Sequence, residues 1–462
     1  MAEKSAIPVE LGTEKIGRLL KQYALPAIIA QTASSLYNMV DSIFIGQGVG
    51  PLAISGLAVT FPLMNLSTAF GTLVGAGAAT MLSVLLGQKN YKAANKVLGN
   101  VVSLNVILGL LFMAVALIFI DPILYFFGAS ENTLPYAKEY IQIILYGNIV
   151  THLYFGLNAA MRSSGNPKKA MALTIFTVVF NTILDPIFIF VFDMGIAGAA
   201  WATVIAQTAA MIVVLKHFSD KSRAFHFEKG IFKLDPRVAK DSLVIGMGPF
   251  LMNAAACLVT LFINQQLRDY SGDLGIGSYG ICNRFIFMFI MICMGLNQGM
   301  QPIAGYNYGA KQYSRVKEVF WMTAKFGTIV TTLCFCIGMF IPRLAAGIFT
   351  HDEALLNMSA EGLRILTIGF PIVGFQMIGT NFFQCLGMVK KSIILSLSRQ
   401  LLFLLPLLYC LPLWMGANGV WMSFPISDVL SAILTAILLR RLFKKFNMLK
   451  DGEESTILGS NL

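Results

Sequence analysis

The sequence predicts an all-α polytopic membrane protein: twelve transmembrane helices in two pseudo-symmetric six-helix bundles around a central cleft. Three observations predict it: an apolar composition, basic residues confined to alternate loops, and a repeat that spans the chain.

Of 462 residues, 56% are hydrophobic and 12% charged, with a mean hydropathy of +0.71. A soluble chain carries about twice that charged fraction. At roughly 20 residues per span, the apolar stretches fall at 17–46, 52–86, 95–120, 134–162, 169–192, 196–217, 240–267, 275–308, 318–341, 357–387, 392–414 and 418–440. The amino terminus, MAEKSAIPVELGTEKIGRLL, holds acidic residues and no small-residue cleavage site before a short apolar core, so no cleavable signal peptide is expected. All seven cysteines (257, 282, 293, 334, 336, 385, 410) lie in predicted spans of the second half without a C-x-x-C or Cys/His cluster. Neither a disulfide framework nor a cysteine-held metal is expected.

The net charge of +11 invites a nucleic-acid partner, but its distribution argues for a membrane. Lys and Arg gather at the amino terminus and around 89–96, 162–169, 216–240, 311–325, 390–399 and 440–450. In a twelve-span topology these 29 of 34 basic residues share one side, leaving Lys138, Arg268, Arg284, Arg343 and Arg364 elsewhere. That is the positive-inside pattern. Both termini are expected in the cytoplasm, with the chain in a bacterial plasma (inner) membrane, acting as a monomer and binding no nucleic acid.

The repeat explains why the spans number six and six. LGQKNYKAANKV (86–97) and YGAKQYSRVKEV (308–319) share Gly, Lys, Tyr and Val at an offset of 222. SSGNPKKA (163–170) meets CLGMVKKS (385–392) at the same offset. GIAGAAW (195–201) meets GANGVWM (416–422) at 221, and Pro26 meets Pro249 at 223. Six spans per half is even, so the halves share one orientation, as in parallel transporter repeats. The expected domains are an N-lobe at 1–217, a linker at 218–239, a C-lobe at 240–440 and a cytoplasmic tail at 441–462.

Within the apolar run NTILDPIFIF sits a carboxylate, Asp185; a second, Asp41, lies in LYNMVDSIFIGQ. Both fall roughly 8–10 Å below the outer surface at 1.5 Å per residue. Asn181 precedes Asp185 by one turn and shares its face. Thr203 reaches a similar level in span 6, and Tyr37 and Asn38 share a face with Asp41. Two carboxylates with amide and hydroxyl oxygens make a hard-oxygen cluster, able to hold Na⁺ or to share one proton. The plainer alternative is that each Asp caps a helix or pairs with a Lys elsewhere, with Asp185–Pro186 marking a kink. Intramembrane acids are functional candidates by default. At the repeat offset Asp41 meets Asn264 and Asp185 meets Leu407, so the acidic pair exists only in the first half. A purely architectural role would be needed in both.

Other polar positions are weaker. Arg284 and Asp428 lie in second-half spans and are expected to pair with each other or to line the cleft. His152 is read as a packed histidine, with a proton relay as the alternative. Pro26 is a candidate bend. Gly71 and Gly75 are read as close helix contacts. The 23 Met and 35 Phe suit promiscuous apolar cations where they reach the cleft, although most are expected in core or lipid.

YNMVDSIFIGQ, VGAGAATMLSVLLGQKNYKAA, MRSSGNPKKAM, NTILDPIFIFVFDMGIAGAAWATVIAQ and NQGMQPIAGYNYGAKQYSRVKEV, in that order, resemble the multidrug and toxic compound extrusion (MATE) family, and within it the DinF-like branch. The resemblance implies two six-helix lobes around a cleft and export of organic cations or drugs in exchange for H⁺ or Na⁺, without other cofactors. It implies cation coupling at Asp41, Asn181, Asp185 and Thr203, with Tyr140 and Asn158 near that network. Another bacterial branch places acidic residues in the C-lobe cleft, where this chain offers Asn264. The alternative is a lipid-linked oligosaccharide flippase of the same broad superfamily, which usually presents a cationic cleft. An intramembrane enzyme would need clustered acids or His–metal spacing within the membrane; H-E-x-x-H does not occur, and D-x-x-x-D occurs only at Asp269–Asp273, in the turn between the predicted spans 240–267 and 275–308.

Overall fold

The computed structural model describes residues 9–223, 225–228, 230 and 232–453, without the side chains of Asn38, Met39, Pro51 and Asp273. Expectations for residues 1–8 and for the tail beyond 453 lie outside the described residues. Every long element among the described residues is a helix. In chain order they are α1 (Ile16–Gly48), α2 (Pro51–Gly87), α3 (Tyr91–Ile118), α4 (Leu134–Tyr146), α5 (Asn148–Ser163), α6 (Pro167–Pro186) and α7 (Gly195–Ser219). Then come α8 (Pro236–Gly272) and α9 (Leu274–Gly309), α10 (Tyr313–Phe340), α11 (Glu353–Thr367), α12 (Phe370–Cys385), α13 (Val389–Leu397) and α14 (Ala417–Phe446).

Among the described residues, nine helical segments are long and apolar enough to cross a membrane, and α11 and α12, bent by 56° at their break, pass the same test when taken together. The expected spans 1 and 4 coincide with α1 and the α4–α5 pair, which fall short of that apolarity. The reason is their chemistry. α1 carries Gln31, Thr32, Ser34, Tyr37, Asp41 and Gln47, and α5 carries Asn148, Thr151, His152, Asn158 and Arg162. Of these, α1 brings Tyr37 and Asp41 to the candidate site and α4 brings Tyr140.

The duplication is visible in the backbone. Lys89 (φ 59°) and Lys311 (φ 58°) are left-handed non-glycine residues one repeat apart, each just beyond the end of its helix. Left-handed glycines recur at the same spacing: Gly50 with Gly272, Gly165 with Gly387, Gly195 with Gly416, and Gly230 with Gly452. The same sharp turns are thus cut at equivalent places in both halves.

By internal contacts the chain forms two compact units, and they do not divide at the linker. The first comprises Ile29–Phe250 and a short amino-terminal piece; the second comprises Glu14–Ile28 and the chain from Leu251 onward. The two units part within α8, just after Pro249, and within α1, just after Pro26. Small residues explain the exchange. In lipid there is little hydrophobic force between helices, so close backbone packing decides which helices associate. In the first unit, a Cβ on Gly246 of α8 would stand 1.8 Å from the Leu73 carbonyl of α2. In the second, a Cβ on Gly299 of α9 would stand 2.4 Å from Cα of Ala24 on α1.

In the first unit, Gly75 does serve a close contact: a Cβ there would lie 3.3 Å from Cα of Gly156 on α5. Gly71 instead makes room for the His152 ring, 3.2 Å from its would-be Cβ. The linker is docked on α3: Asn95 donates to Glu228 Oε1 at 2.8 Å, Ser103 to the Phe232 carbonyl at 2.6 Å, and Asp235 N to Asn100 Oδ1 at 3.0 Å. In the second unit, Leu267, Phe285, Leu363, Val373 and Trp421 build one core.

Candidate functional site

The site lies wholly in the first unit, where α1, α4, α6 and α7 contribute. On α6 the one-turn spacing of Asn181 and Asp185 puts both side chains on one buried face; Asp185 is fully buried and Asn181 is 2% exposed. The α-helix ends at the next residue, Pro186, and Ile187–Val191 continue as a π-turn. Pro186 has no N–H to close the preceding helical turn, and π-turns inside helices cluster at functional sites.

The remaining members meet around Thr203. Its Oγ1 donates to the Ala199 carbonyl at 3.1 Å and accepts from Asn181 Nδ2 at 3.2 Å. With that proton committed to Ala199, it also accepts from the Tyr37 hydroxyl at 2.9 Å. Asp41, one turn beyond Tyr37 on α1, is buried, and its carboxyl lies within hydrogen-bonding reach of Asp185 once one of them carries a proton. Tyr140 of α4 is buried beside Tyr37, Thr203 and both carboxyls.

The chemistry follows from what is missing among protein partners. Asp185 Oδ1 and Oδ2, Asp41 Oδ1 and Asn181 Oδ1 are buried acceptors without a hydrogen-bond donor among the described residues. Neither carboxyl is paired with a lysine or arginine among the described residues. Two adjacent buried carboxylates without counter-charge resist double ionisation. The set therefore suits a proton or a small hard cation arriving from outside. All its donors are oxygens, as Na⁺ requires. Among the described residues no three His, Cys, Asp or Glu side chains gather as metal ligands.

Of the sequence-predicted residues, Tyr37, Tyr140, Asn181, Asp185, Thr203 and Asp41 come together; the Asn38 side chain lies outside the described residues. Asn158 belongs to a neighbouring polar group. Its Nδ2 reaches Thr174 Oγ1 at 3.1 Å and Tyr154 Oη at 3.4 Å, and Thr177 Oγ1 also meets Tyr154 at 3.4 Å. Thr174, Thr177, Asn181 and Asp185 follow at three- and four-residue steps on α6, a polar stripe legible in the sequence but not drawn from it. His152 is anchored as a packed histidine through a 2.9 Å contact from Nε2 to the Ser67 carbonyl.

The second unit corrects one expectation. Asp428 does not pair with Arg284, which is exposed on α9. Its partner is Arg399, whose Nε donates to Asp428 Oδ1 at 2.7 Å. The sequence groups Arg399 with Lys390 and Lys391 at the membrane edge, but it sits about 15 Å along the helix from Val389.

A duplicated multi-spanning helical protein with a buried oxygen cluster in its membrane helices defines the class of a membrane transporter. The comparisons name the family. The MatE family model matches residues 26–187 and again 249–410, displaced by 223 at both ends, and the chain belongs to that family of transporters. It is 28% identical over 426 residues to the multidrug export protein MepA of Staphylococcus aureus strain MRSA252, covering 92% of this chain and 94% of that protein. It is 27% identical over 419 residues to MepA of Staphylococcus haemolyticus, covering 91% and 92% of the two chains. Among solved structures, the MATE multidrug transporter DinF-BH is 36% identical with a TM-score of 0.88, covering 95% of this chain and 98% of that one. An outward-facing MATE family transporter shares the fold at a TM-score of 0.90 and 22% identity, covering 97% and 100%.

Proposed function

We propose that this protein is a secondary antiporter that exports organic cations or drugs in exchange for H⁺ or Na⁺ bound at Asp41 and Asp185. The observation that carries the reading is the set of four buried acceptor oxygens on Asp41, Asn181 and Asp185 that meet no hydrogen-bond partner in good geometry among the described residues. The names of the relatives, multidrug export proteins, support the drug as cargo. The likeness to DinF-BH supports a DinF-like placement. The cation enters as a co-substrate: carboxylates take it, Asn181 and Thr203 supply oxygens, and Tyr37 ties α1 to α7 while it is bound. Among the described residues no buried cationic cluster meets the pyrophosphate of a lipid-linked sugar in this site, so the flippase reading has nothing to stand on here. Monomeric action and cytoplasmic termini belong to the same reading.

The energetics suffice. One charge moving down ~100 mV releases about 2.3 kcal/mol, and one pH unit adds about 1.4 kcal/mol for a proton. The test is efflux of a fluorescent lipophilic cation from vesicles, with ΔpH and Na⁺ gradients imposed separately, for native protein and Asp185→Asn. Gradient-driven efflux in the native protein and its loss in the variant are expected. Undiminished efflux in the variant overturns the coupling assignment.

A further inference from the structure

Orientation in the membrane does not account for how the basic residues of the second unit are placed. Lys390 and Lys391 open α13, and Arg440, Arg441, Lys444 and Lys445 close α14. Among the described residues no salt bridge joins any of the six to a carboxylate. Lys391 and Lys445 are half-buried and lie close enough for their charges to oppose each other. Lys391 is held in place by an aromatic ring: its Nζ lies over the buried Phe383 of α12, 5.4 Å from the centroid. Arg441 stands one turn before Lys445 and shares its face. Three cations from two helices thus gather along one seam, an arrangement that like charges resist unless an anion joins them.

The first half meets the same problem with an acid of its own. At the offset of 222, Lys168 and Lys169 match Lys390 and Lys391. At the offset of 221 that pairs α7 with α14, Asp220 matches Arg441 and Arg223 matches Lys444. Asp220 accepts from Arg223 Nε at 3.1 Å, and both lie with Lys169 around His217. Where the first half places a carboxylate, the second places a guanidinium.

The surroundings of the seam select the anion. Lys391 is the third residue of its span and Lys445 the last but one of its helix, so both stand at the membrane edge. Four-residue steps back from Lys445 pass Arg441 and then Ile437 and Ile433, which are 45% and 52% exposed. On α13, Ile394 lies three residues deeper than Lys391 and is 54% exposed. The outer surface therefore changes from apolar to cationic at the depth where a phospholipid changes from acyl chain to phosphate. We propose that Lys391, Arg441 and Lys445 bind the phosphate of an anionic phospholipid whose acyl chains lie along Ile394, Ile433 and Ile437. Basic pockets between spans on this side of a membrane are suited to such headgroups. The site goes beyond the antiport reading and does not depend on it.

The test is native mass spectrometry of the purified full chain, titrated with phosphatidylglycerol and with phosphatidylcholine of the same acyl chains. Native protein should bind phosphatidylglycerol about tenfold or more tightly than phosphatidylcholine. In Lys391→Gln/Arg441→Gln/Lys445→Gln that preference should fall to within about twofold, whereas Lys168→Gln/Lys169→Gln in the first unit should retain it. Equal binding of the two lipids by native protein, an unchanged preference in the triple variant, or an equal loss in the first-unit variant overturns the proposal. Displacement of phosphatidylglycerol by an equal concentration of inorganic phosphate would make this a site for the free anion and overturn the lipid assignment. Should the triple variant not fold, the exposed Arg441→Gln alone should weaken phosphatidylglycerol about fivefold, the contribution of one surface cation; unchanged binding overturns the proposal.

Discussion

Tyr37 and Thr203, 166 residues apart in the chain, share a hydrogen bond of 2.9 Å. It joins the helix bearing Asp41 to the helix whose Thr203 also receives the Asn181 amide. Thr203 is thus the hub that keeps both carboxylate-bearing helices in register. Thr203→Val removes the hub at constant volume. The Na⁺ or H⁺ concentration giving half-maximal efflux should rise about tenfold, from a loss of one to two hydrogen bonds, with protein abundance unchanged. Ion titration in vesicles measures it, and an unshifted midpoint would show that Thr203 is a bystander.

The contact of α2 with α8 in the first unit should tolerate no further side chain. A Cβ on Gly77 would stand 1.8 Å from the Ser242 carbonyl. Overpacking costs roughly 1–3 kcal/mol and more where backbone must move, so Gly77→Ala should lower the melting temperature in detergent by several degrees. Gly280→Ala, with nothing within 4 Å of its Cβ, serves as the matched control and should leave it unchanged.

Breaking the Arg399–Asp428 pair from one side strands a buried charge. Arg399→Gln alone should destabilise the protein by about 3–5 kcal/mol. Adding Asp428→Asn should recover most of that loss. Thermal unfolding of the single and double variants gives the comparison, and additive losses would mean that the two side chains act independently.

Acid should release the end of the chain from α10. Asp451 accepts from Ser314 N at 3.0 Å and from the Ser314 hydroxyl, and Gly452 N donates to the Lys311 carbonyl at 2.9 Å. Partial burial pushes the Asp451 carboxyl up, but the hydrogen bonds from Ser314 outweigh it and hold the group below the usual 3.8. A carboxylate depressed by folding stabilises above its unfolded pKa, and that contribution disappears as pH falls through the folded value. Hydrogen exchange of the Tyr313–Val316 amides should therefore quicken as pH drops below about 4, relative to the intrinsic rate. Asp451→Asn should show the faster exchange already at neutral pH.

Much of this architecture is legible in the sequence because membrane helices must be apolar, and exceptions to that rule are informative. Asp185 stands out in NTILDPIFIF, and its spacing from Asn181 alone places both on one face. Asp41 and Thr203 require depth counting across separate spans, and the structure does put them at one level. Arg399 is illegible for the opposite reason. It follows Lys390 and Lys391 closely enough to read as an edge residue, yet it sits within the helical span that begins at Val389 and pairs with Asp428 on α14. The unit boundary is illegible too, because hydropathy reports which segments are apolar and not which neighbours their glycines admit. Family likeness puts Asn158 near the carboxylates, whereas its hydrogen bonds run to Tyr154 and Thr174.

The division of α1 and α8 between the two units bears on synthesis. Residues 236–250 complete the first unit, so the first half of the gene does not encode a finished body. Residues 14–28 belong to the second unit and leave the ribosome more than two hundred residues before their partners, a delay of roughly tens of seconds at usual elongation rates. During that interval the segment that will seat Ala24 against Gly299 has no mate. Each half of the duplicated chain is therefore a lender and a borrower of helix. Two separately expressed halves should reconstitute only when made together in one membrane.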